Sequence, residues 1–215
     1  MAKSVAALVI GVALLFVLRA GANAGYADLW VEEPSPTNED LNDVFAVTKW
    51  EAWAVGDNGT VLKRDASGSW HSVDVGLSDQ SDWSFHGLFF RPGGSIGWIV
   101  GERNVNSSTD VSDIHTGIVL KTTNSGVTWT KSYPKPPNEE DCPPTPFYDV
   151  YFTSDYRGWI SAGHGYVLTT SNGGGLWVWH AVKEEPTTTD SLANSFLGLW
   201  AAGASTVRNV SEKLQ

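Results

Sequence analysis

The sequence predicts an all-β repeat protein, and two recurring tryptophan patterns are the main evidence. Eight of the eleven tryptophans fall on these patterns. In the first, a hydrophobic strand carries Trp shortly ahead of Gly, at Trp53, Trp98, Trp159 and Trp200. In the second, a tight turn ends in Trp, at Trp70, Trp129 and Trp177, and Trp30 fits this register without its turn. A large side chain that recurs at one structural position indicates that each unit buries the same face against its neighbours.

Four short strands follow one another in each repeat. Segments rich in β-branched and aromatic residues, bounded by Gly, Asn, Asp or Ser, occur in the same order three times. These repeats span about residues 41–75, 85–133 and 147–182, and a shorter fourth spans 192–210. Four antiparallel strands per repeated unit are typical of the blades of a β-propeller. The structural alternative is a β-sandwich in which the tryptophan spacing is coincidental.

The turns of the second pattern carry a family resemblance. "TTNSGVTW" (122–129) and "TSNGGGLW" (170–177) resemble the Asp-box, with Asn in place of Asp, and "RDASGSW" (64–70) is a degraded copy. With the preceding "GW-x-x-G" strands, residues 41–210 resemble the propeller repeat of the photosystem II assembly and stability factors and their bacterial relatives. The resemblance implies that the box residues are structural, since Asp or Asn bonds turn amides, Gly takes a positive φ and Trp packs between sheets. These residues are Asp65, Trp70, Asn124, Gly126, Trp129, Asn172, Gly174 and Trp177.

The fourth repeat covers only about three strands. "DLWVEEPSP" (28–36) resembles the end of the third repeat, so we expect residues 28–33 to supply the missing outer strand. Pairing the two termini in one blade would close a four-bladed ring and remove its open edges. The alternative is a fragment of a larger ring.

The amino terminus predicts a secretory signal peptide over residues 1–24. Lys3 is followed by the unbroken apolar stretch Val5–Leu18, and "ANA" ends at Ala24 as a cleavage signal. We therefore expect a secreted chain in which residues 25–215 form one propeller domain, with no membrane span after cleavage. The alternative is an uncleaved anchor, although 14 residues fall short of the about 20 that span a bilayer.

The predicted mature chain is acidic. Removal of residues 1–24 leaves 12 Lys and Arg against 24 Asp and Glu, a net charge of −12. Such a surface disfavours nucleic acid and anionic lipid as partners. Cys142 is the only cysteine, so no internal disulfide forms. Its thiol is either idle or, in a secreted protein, available to another chain.

Strand-connecting loops are where propellers usually bind, and two long insertions, at 102–116 and 134–146, mark the candidate face. The candidate binding residues are Glu102, Arg103, Asp110, Asp113, His115 and His164. Asp110, Asp113 and His115 have side chains suited to a cation, but a solvated loop is the prediction, with no metal and no cofactor. Sequons at Asn58, Asn106 and Asn209 predict possible glycan acceptors.

The sequence predicts a non-catalytic propeller that binds another protein or a glycan. The alternative on the same fold is a sialidase-like glycoside hydrolase, which needs three clustered arginines and a Tyr nucleophile with a carboxylate partner. Four arginines remain when Arg19 of the signal peptide and Arg64 beside the first box are set aside, and none of them lies in such a motif. They are Arg91, Arg103, Arg157 and Arg208. A glycan-binding lectin would use an exposed Trp83 or Trp50 as a stacking platform.

Overall fold

A computed structural model of the chain describes residues 31–104, 117–136 and 145–181, together with the backbone of two strands at 198–201 and 207–210. Within these residues the fold is all-β, apart from one short 3-10 turn at Gln80–Asp82. Three four-stranded antiparallel sheets and one two-stranded sheet are formed. The predicted all-β class is therefore confirmed. In the same ranges no helix is long and apolar enough to cross a membrane.

The strands follow chain order within every sheet. The first sheet contains β1 (Leu41–Ala46), β2 (Ala52–Gly56), β3 (Val61–Arg64) and β4 (Trp70–Ser72). The second contains β5 (Trp83–Phe90), β6 (Gly97–Arg103), β7 (Gly117–Thr122) and β8 (Thr130–Ser132). The third contains β9 (Phe147–Phe152), β10 (Gly158–Ala162), β11 (Tyr166–Thr170) and β12 (Val178–Ala181). The last contains β13 (Gly198–Ala201) and β14 (Val207–Val210).

The first strand of each sheet lies inside the molecule. β1 contacts β5, β5 contacts β9, and β13 lies beside β9 and β10. The fourth strands β4, β8 and β12 are mostly exposed. Because the strands alternate in direction, the hairpins after the first strands and the turns after the third strands share one end of the stack, called here the box face. The hairpins after the second strands and the links between sheets share the other end, the loop face.

Two equivalent ring stacks join the three sheets. Trp53 of β2 stacks on Phe90 of β5, with ring centroids 5.1 Å apart, and Trp98 of β6 stacks on Phe152 of β9 at 3.5 Å. Both tryptophans are fully buried and belong to the two hydrophobic clusters between successive sheets. The first tryptophan pattern therefore supplies the centre of each inter-sheet core. Trp159 of β10, at the equivalent position, is half-buried.

The second and third box turns have the same hydrogen bonds. Thr122 Oγ1 accepts the amide of Gly126 at 2.9 Å, and Asn124 Oδ1 accepts the amide four residues further on at 2.9 Å. In the third box turn, Thr170 Oγ1 accepts the amide of Gly174 at 3.0 Å, and Asn172 Oδ1 accepts the amide of Leu176 at 2.9 Å. The sequence pattern predicts the role of the Asn side chains but not that of Thr122 and Thr170, whose hydroxyls also accept hydrogen bonds from turn amides.

The box glycines are required for two reasons. Gly126 has a φ of 78° and Gly174 a φ of 90°, a region that L side chains rarely adopt. A Cβ on Gly126 would also overlap the ring of Trp53, and one on Gly174 would lie 3.2 Å from Trp98 Nε1. Each box turn therefore packs directly on the buried Trp of the preceding sheet.

The first box turn is one residue shorter and differs. Asp65 Oδ1 accepts the amides of Ser67 and Ser69 at 2.8 Å and 3.2 Å, and Gly68 has a φ of 89°. Arg64 stands where the other turns have Thr. Hydrogen bonds from the Ser67 hydroxyl and from His71 hold the pKa of Asp65 below its ordinary value.

Arg64 binds the segment that precedes the first sheet. Its Nη2 donates to Glu33 Oε1 at 2.6 Å and its Nε to Glu33 Oε2 at 2.9 Å, while Trp70 Nε1 donates to the same Oε2 at 2.8 Å. The prediction that residues 28–33 form a closing strand is therefore wrong for residues 31–33. They form no strand, because Glu33 holds them against the first sheet. Residues 28–30 lie outside the described residues.

Removal of the Glu33 charge should free this segment. We expect Glu33→Gln to lower the free energy of unfolding by less than about 1 kcal/mol, since the pair is partly exposed, and to increase limited proteolysis within residues 31–36. The hydrogen bond from Arg64 lowers the pKa of Glu33. The ionised Glu33 therefore stabilises the folded chain at neutral pH, and this stabilisation is lost as the pH falls. Glu51→Gln, whose carboxylate pairs with Lys63 instead, is the matched control. Equal cleavage in both variants would contradict the assignment.

Trp98, at the centre of an inter-sheet core, should contribute more to stability than the half-buried box tryptophan Trp129. We expect Trp98→Ala to cost about 3–5 kcal/mol in urea denaturation, because it empties an inter-sheet core. Trp129→Ala should cost clearly less, since that ring is half-buried and contacts Trp53 only edge-on. Similar losses at the two positions would show that the box ring is equally part of the core.

Asp43 links the first two inner strands. Its Oδ1 accepts the amide of Val44 at 2.8 Å, and its Oδ2 accepts the amide of Leu88 in β5 at 2.9 Å. Burial raises the pKa of Asp43 to about 6, and the two amide donors limit that rise. The folded chain therefore holds a proton on Asp43 over a pH range in which the unfolded chain, with its ordinary pKa of 3.8, has released it.

This proton makes stability depend on pH. We expect Asp43 to lower the free energy of unfolding as the pH rises from about 4 to about 7, by on the order of 2 kcal/mol. Asp43→Asn cannot ionise and should lack this component, so urea denaturation of the two proteins at several pH values separates it. If the free energy of unfolding changes with pH in the same way in both proteins, Asp43 does not take up a proton on folding.

Candidate binding face

The loop face carries seven of the fourteen acidic side chains that the structure describes. It is built from the hairpin between β2 and β3, the links between sheets, and the ends of β6 and β10. Its acidic residues are Glu39, Asp40, Asp57, Asp74, Asp79, Asp82 and Glu102, and its basic residues are Arg103 and Lys135. The box face is mixed, with basic Lys49, Lys63, Arg64, Arg91, Lys121 and Arg157 and acidic Glu32, Glu33, Glu51, Asp65 and Asp155. The two ends therefore differ in charge.

Three inner strands have a bulge at the same position near the loop face. The pairing register breaks between Leu41 and Asp43, between Phe85 and Gly87, and at the end of the β9–β10 pair. The residues that have no Cα partner are Asn42, His86 and Tyr148. A bulge leaves its extra residue outside the ladder and redirects its side chain. These three residues are called here the bulge row.

The bulge row is connected across the three sheets. Asn42 Nδ2 donates to Asp57 Oδ1 and to the Phe85 carbonyl, both at 3.0 Å, which places it beside His86. The His86 ring centroid lies 5.7 Å from that of Tyr148, and its Nε2 lies 3.1 Å from Glu102 Oε1. Asn42 is exposed, and His86 and Tyr148 are half-buried. The row thus offers hydrogen-bonding groups and an aromatic surface on rigid strands.

Sequence reasoning missed the bulge row. It identified Glu102 in the neighbouring loop, but not the residue that Glu102 contacts. Aligning "NDV" (42–44), "HGL" (86–88) and "YDV" (148–150) shows the equivalence, since each follows a large apolar residue. The bulge itself becomes visible only when the pairing with the second strand is known.

Arg103, a predicted binding residue, organises the link before β5. Its Nη2 lies 3.0 Å from Asp79 Oδ2 and 3.5 Å from Asp82 Oδ2, and its guanidinium lies over the ring of Trp83. The link is also held by the Asn104 amide, which donates to the Asp82 carbonyl at 2.6 Å. Arg103 therefore fixes the shape of the loop face.

One of the two predicted stacking platforms, Trp83, is corrected. Trp83 is buried between strands, because β5 begins two residues before the predicted repeat start and Trp83 pairs with Arg103 of β6. Trp50 is exposed but lies in the β1–β2 hairpin, on the box face. Neither ring is therefore available on the loop face.

Asn58 and His164 occupy exposed turn positions of the loop face. Asn58 and Gly59 have φ values of 50° and 67° in the predicted two-residue hairpin, and Asn58 Nδ2 donates to Glu39 Oε2 at 2.6 Å. His164 has a φ of 57° in the turn between β10 and β11. Asn106 lies outside the described residues, and of Asn209 only the backbone on β14 is described. Glycan occupancy at all three sequons stays a prediction.

Asp110, Asp113, His115 and Cys142 also lie outside the described residues, so their roles stay predictions. In the remainder of the chain, no three His, Cys, Asp or Glu side chains are placed to hold a metal ion. The described arginines are divided between the two faces. Arg103 is on the loop face, whereas Arg91, which pairs with Asp155 at 3.1 Å, is on the box face with Arg157.

Comparison with known proteins found no matching family model and no matching curated protein. Solved structures do match. YCF48 bound to D1 peptide aligns with 22% identity and a TM-score of 0.50, over 67% of this chain and 41% of that chain. YCF48 from Cyanidioschyzon merolae aligns with 23% identity and a TM-score of 0.50, over 68% and 41%. An ancestral GH74 enzyme aligns with 15% identity and a TM-score of 0.47, over 64% and 18%.

The chain thus spans about two fifths of the length of the YCF48 structures that it matches. At this identity the likeness concerns the fold. It confirms the predicted β-propeller architecture and, at the level of the fold, the predicted resemblance to the photosystem II assembly factor propellers.

Proposed function

We propose that this chain is a non-catalytic β-propeller that binds another protein through its loop face. The bulge row carries the proposal. Three equivalent inner strands each present one polar side chain at the same end of the stack, and neighbouring carboxylates hold two of them in place. A pre-formed set of this kind binds without an ordering cost. The YCF48 structure with a D1 peptide supports a protein partner on this fold.

The chemistry of the row suits a peptide segment. Asn42 Nδ2 and His86 Nε2 are held by neighbouring carboxylates, so we assign recognition of backbone amides and carbonyls to Asn42 Oδ1 and His86 Nδ1. Tyr148 adds an aromatic ring and a hydroxyl, and tyrosine is enriched among the residues that dominate binding energy. Arg103 is already engaged by Asp79 and Asp82, so we assign it the positioning of the loop rather than direct recognition.

The compartment is part of the proposal. We propose that residues 1–24 direct export and are removed, so that the mature chain begins at Gly25. Amino-terminal sequencing of the exported protein tests this directly, and an intact Met1 on that protein would contradict it. Asn58, exposed at a hairpin tip, is the described sequon best suited to a glycan.

Substitutions in the row should weaken partner binding without unfolding the chain. A partner captured with the tagged full chain from its native fraction is identified by mass spectrometry, purified, and titrated by calorimetry. We expect His86→Ala and Tyr148→Ala each to raise Kd about tenfold to a hundredfold with an unchanged thermal melt.

Asn124→Ala is the matched control. It removes a turn acceptor on the opposite face, so it should lower the melting temperature and leave the affinity of the folded protein unchanged. If the control weakens binding and the row variants do not, the partner does not bind at the loop face.

A further inference from the structure

We propose that the box face is a second interaction surface and that it lies against a lipid bilayer. Seven large hydrophobic side chains are exposed in the described residues, and six of them are on this face. They are Val31, Trp50, Val127, Tyr156, Leu176 and Val178. Single exposed hydrophobic residues are ordinary, but a concentration at one end of a molecule marks an interaction site.

These side chains project from adjoining turns. The Ser125 amide in the second box turn donates to the Ser95 carbonyl of the β5–β6 hairpin at 3.0 Å. The Gly173 amide in the third box turn donates to the Tyr156 carbonyl at 2.8 Å. Lys63 Nζ of the first sheet donates to the Ser125 carbonyl at 3.3 Å. Arg91 of the β5–β6 hairpin pairs with Asp155 of the β9–β10 hairpin at 3.1 Å, so turns of all three sheets are joined at this face.

The composition of this surface fits a membrane interface. Trp and Tyr favour the boundary between headgroups and acyl chains, where one end of the ring is apolar and the other is wet. Trp50 is 55% exposed, and Lys49 Nζ lies over its ring, 4.7 Å from the centroid, which is a cation–π contact. Tyr156 is followed by the exposed Arg157. The loop face holds seven acidic and two basic side chains, whereas the box face holds five acidic and six basic ones, so the box face repels anionic lipid less.

The path of the chain also points to this face. Glu33 is held at the first box turn by Arg64 and Trp70, so the described residues begin at the box face. Twelve residues separate Val31 from the apolar stretch Val5–Leu18, and fully extended they reach about 40 Å. In the chain that still carries residues 1–24, this apolar stretch is therefore joined to the box face rather than to the loop face.

Position-specific labels test the proposal on the full chain. In a Cys142→Ser background, Trp50→Cys and Leu176→Cys each carry an environment-sensitive fluorophore, and Asn58→Cys on the loop face is the matched control. The proteins are mixed with vesicles of phosphatidylcholine and phosphatidylglycerol, with and without brominated acyl chains. We expect the emission at positions 50 and 176 to shift to the blue and to be quenched severalfold more than at position 58.

Equal quenching at all three positions would overturn the proposal. A response at positions 50 and 176 to an added protein partner, but not to vesicles, would overturn it as well and assign the face to a protein. The test is independent of the proposed loop-face function. His86→Ala in the labelled proteins should leave the quenching unchanged, and vesicle contact survives even if no protein binds the loop face.

Discussion

The close approach of each box turn to the buried Trp of the preceding sheet is the contact on which the rest of the structure depends. Gly126 and Gly174 leave no room for a Cβ beside Trp53 and Trp98, and the same glycines take the positive φ that the turn needs. One residue type thus satisfies a local and a long-range requirement. The contact fixes the spacing of adjacent sheets, because a ring stacked on Phe90 or Phe152 from one side is covered by the turn from the other.

Fixed sheet spacing explains the bulge row. With the three inner strands held in equivalent positions, a register break near the start of each strand brings Asn42, His86 and Tyr148 side by side. The loop face is thereby built on rigid strands, and the variable links contribute carboxylates such as Glu102 around it. The core and the candidate site are therefore consequences of the same repeat.

The sequence predicts the features that depend on local chemistry and misses those that depend on pairing. Asn124, Asn172 and the box glycines are predictable, because turn amides and a positive φ restrict the residue types. The role of Thr122, the burial of Trp83 and the bulge at His86 are not, because each depends on a partner in another strand. The prediction of a strand at 31–33 is wrong for a related reason. The resemblance of this segment to the end of the third repeat does not reveal the ion pair between Glu33 and Arg64.

Total charge does not describe the two faces separately. A net charge of −10 suggests repulsion from anionic surfaces, yet charge acts over about 10 Å at ordinary ionic strength, so its distribution decides what each face meets. The loop face holds seven acidic and two basic described side chains, whereas the box face is nearly balanced and carries the apolar tips. The alternation of strand direction separates these ends by the length of a strand. Because every sheet contributes to both ends, one repeat builds an acidic loop face and a box face that carries exposed apolar side chains.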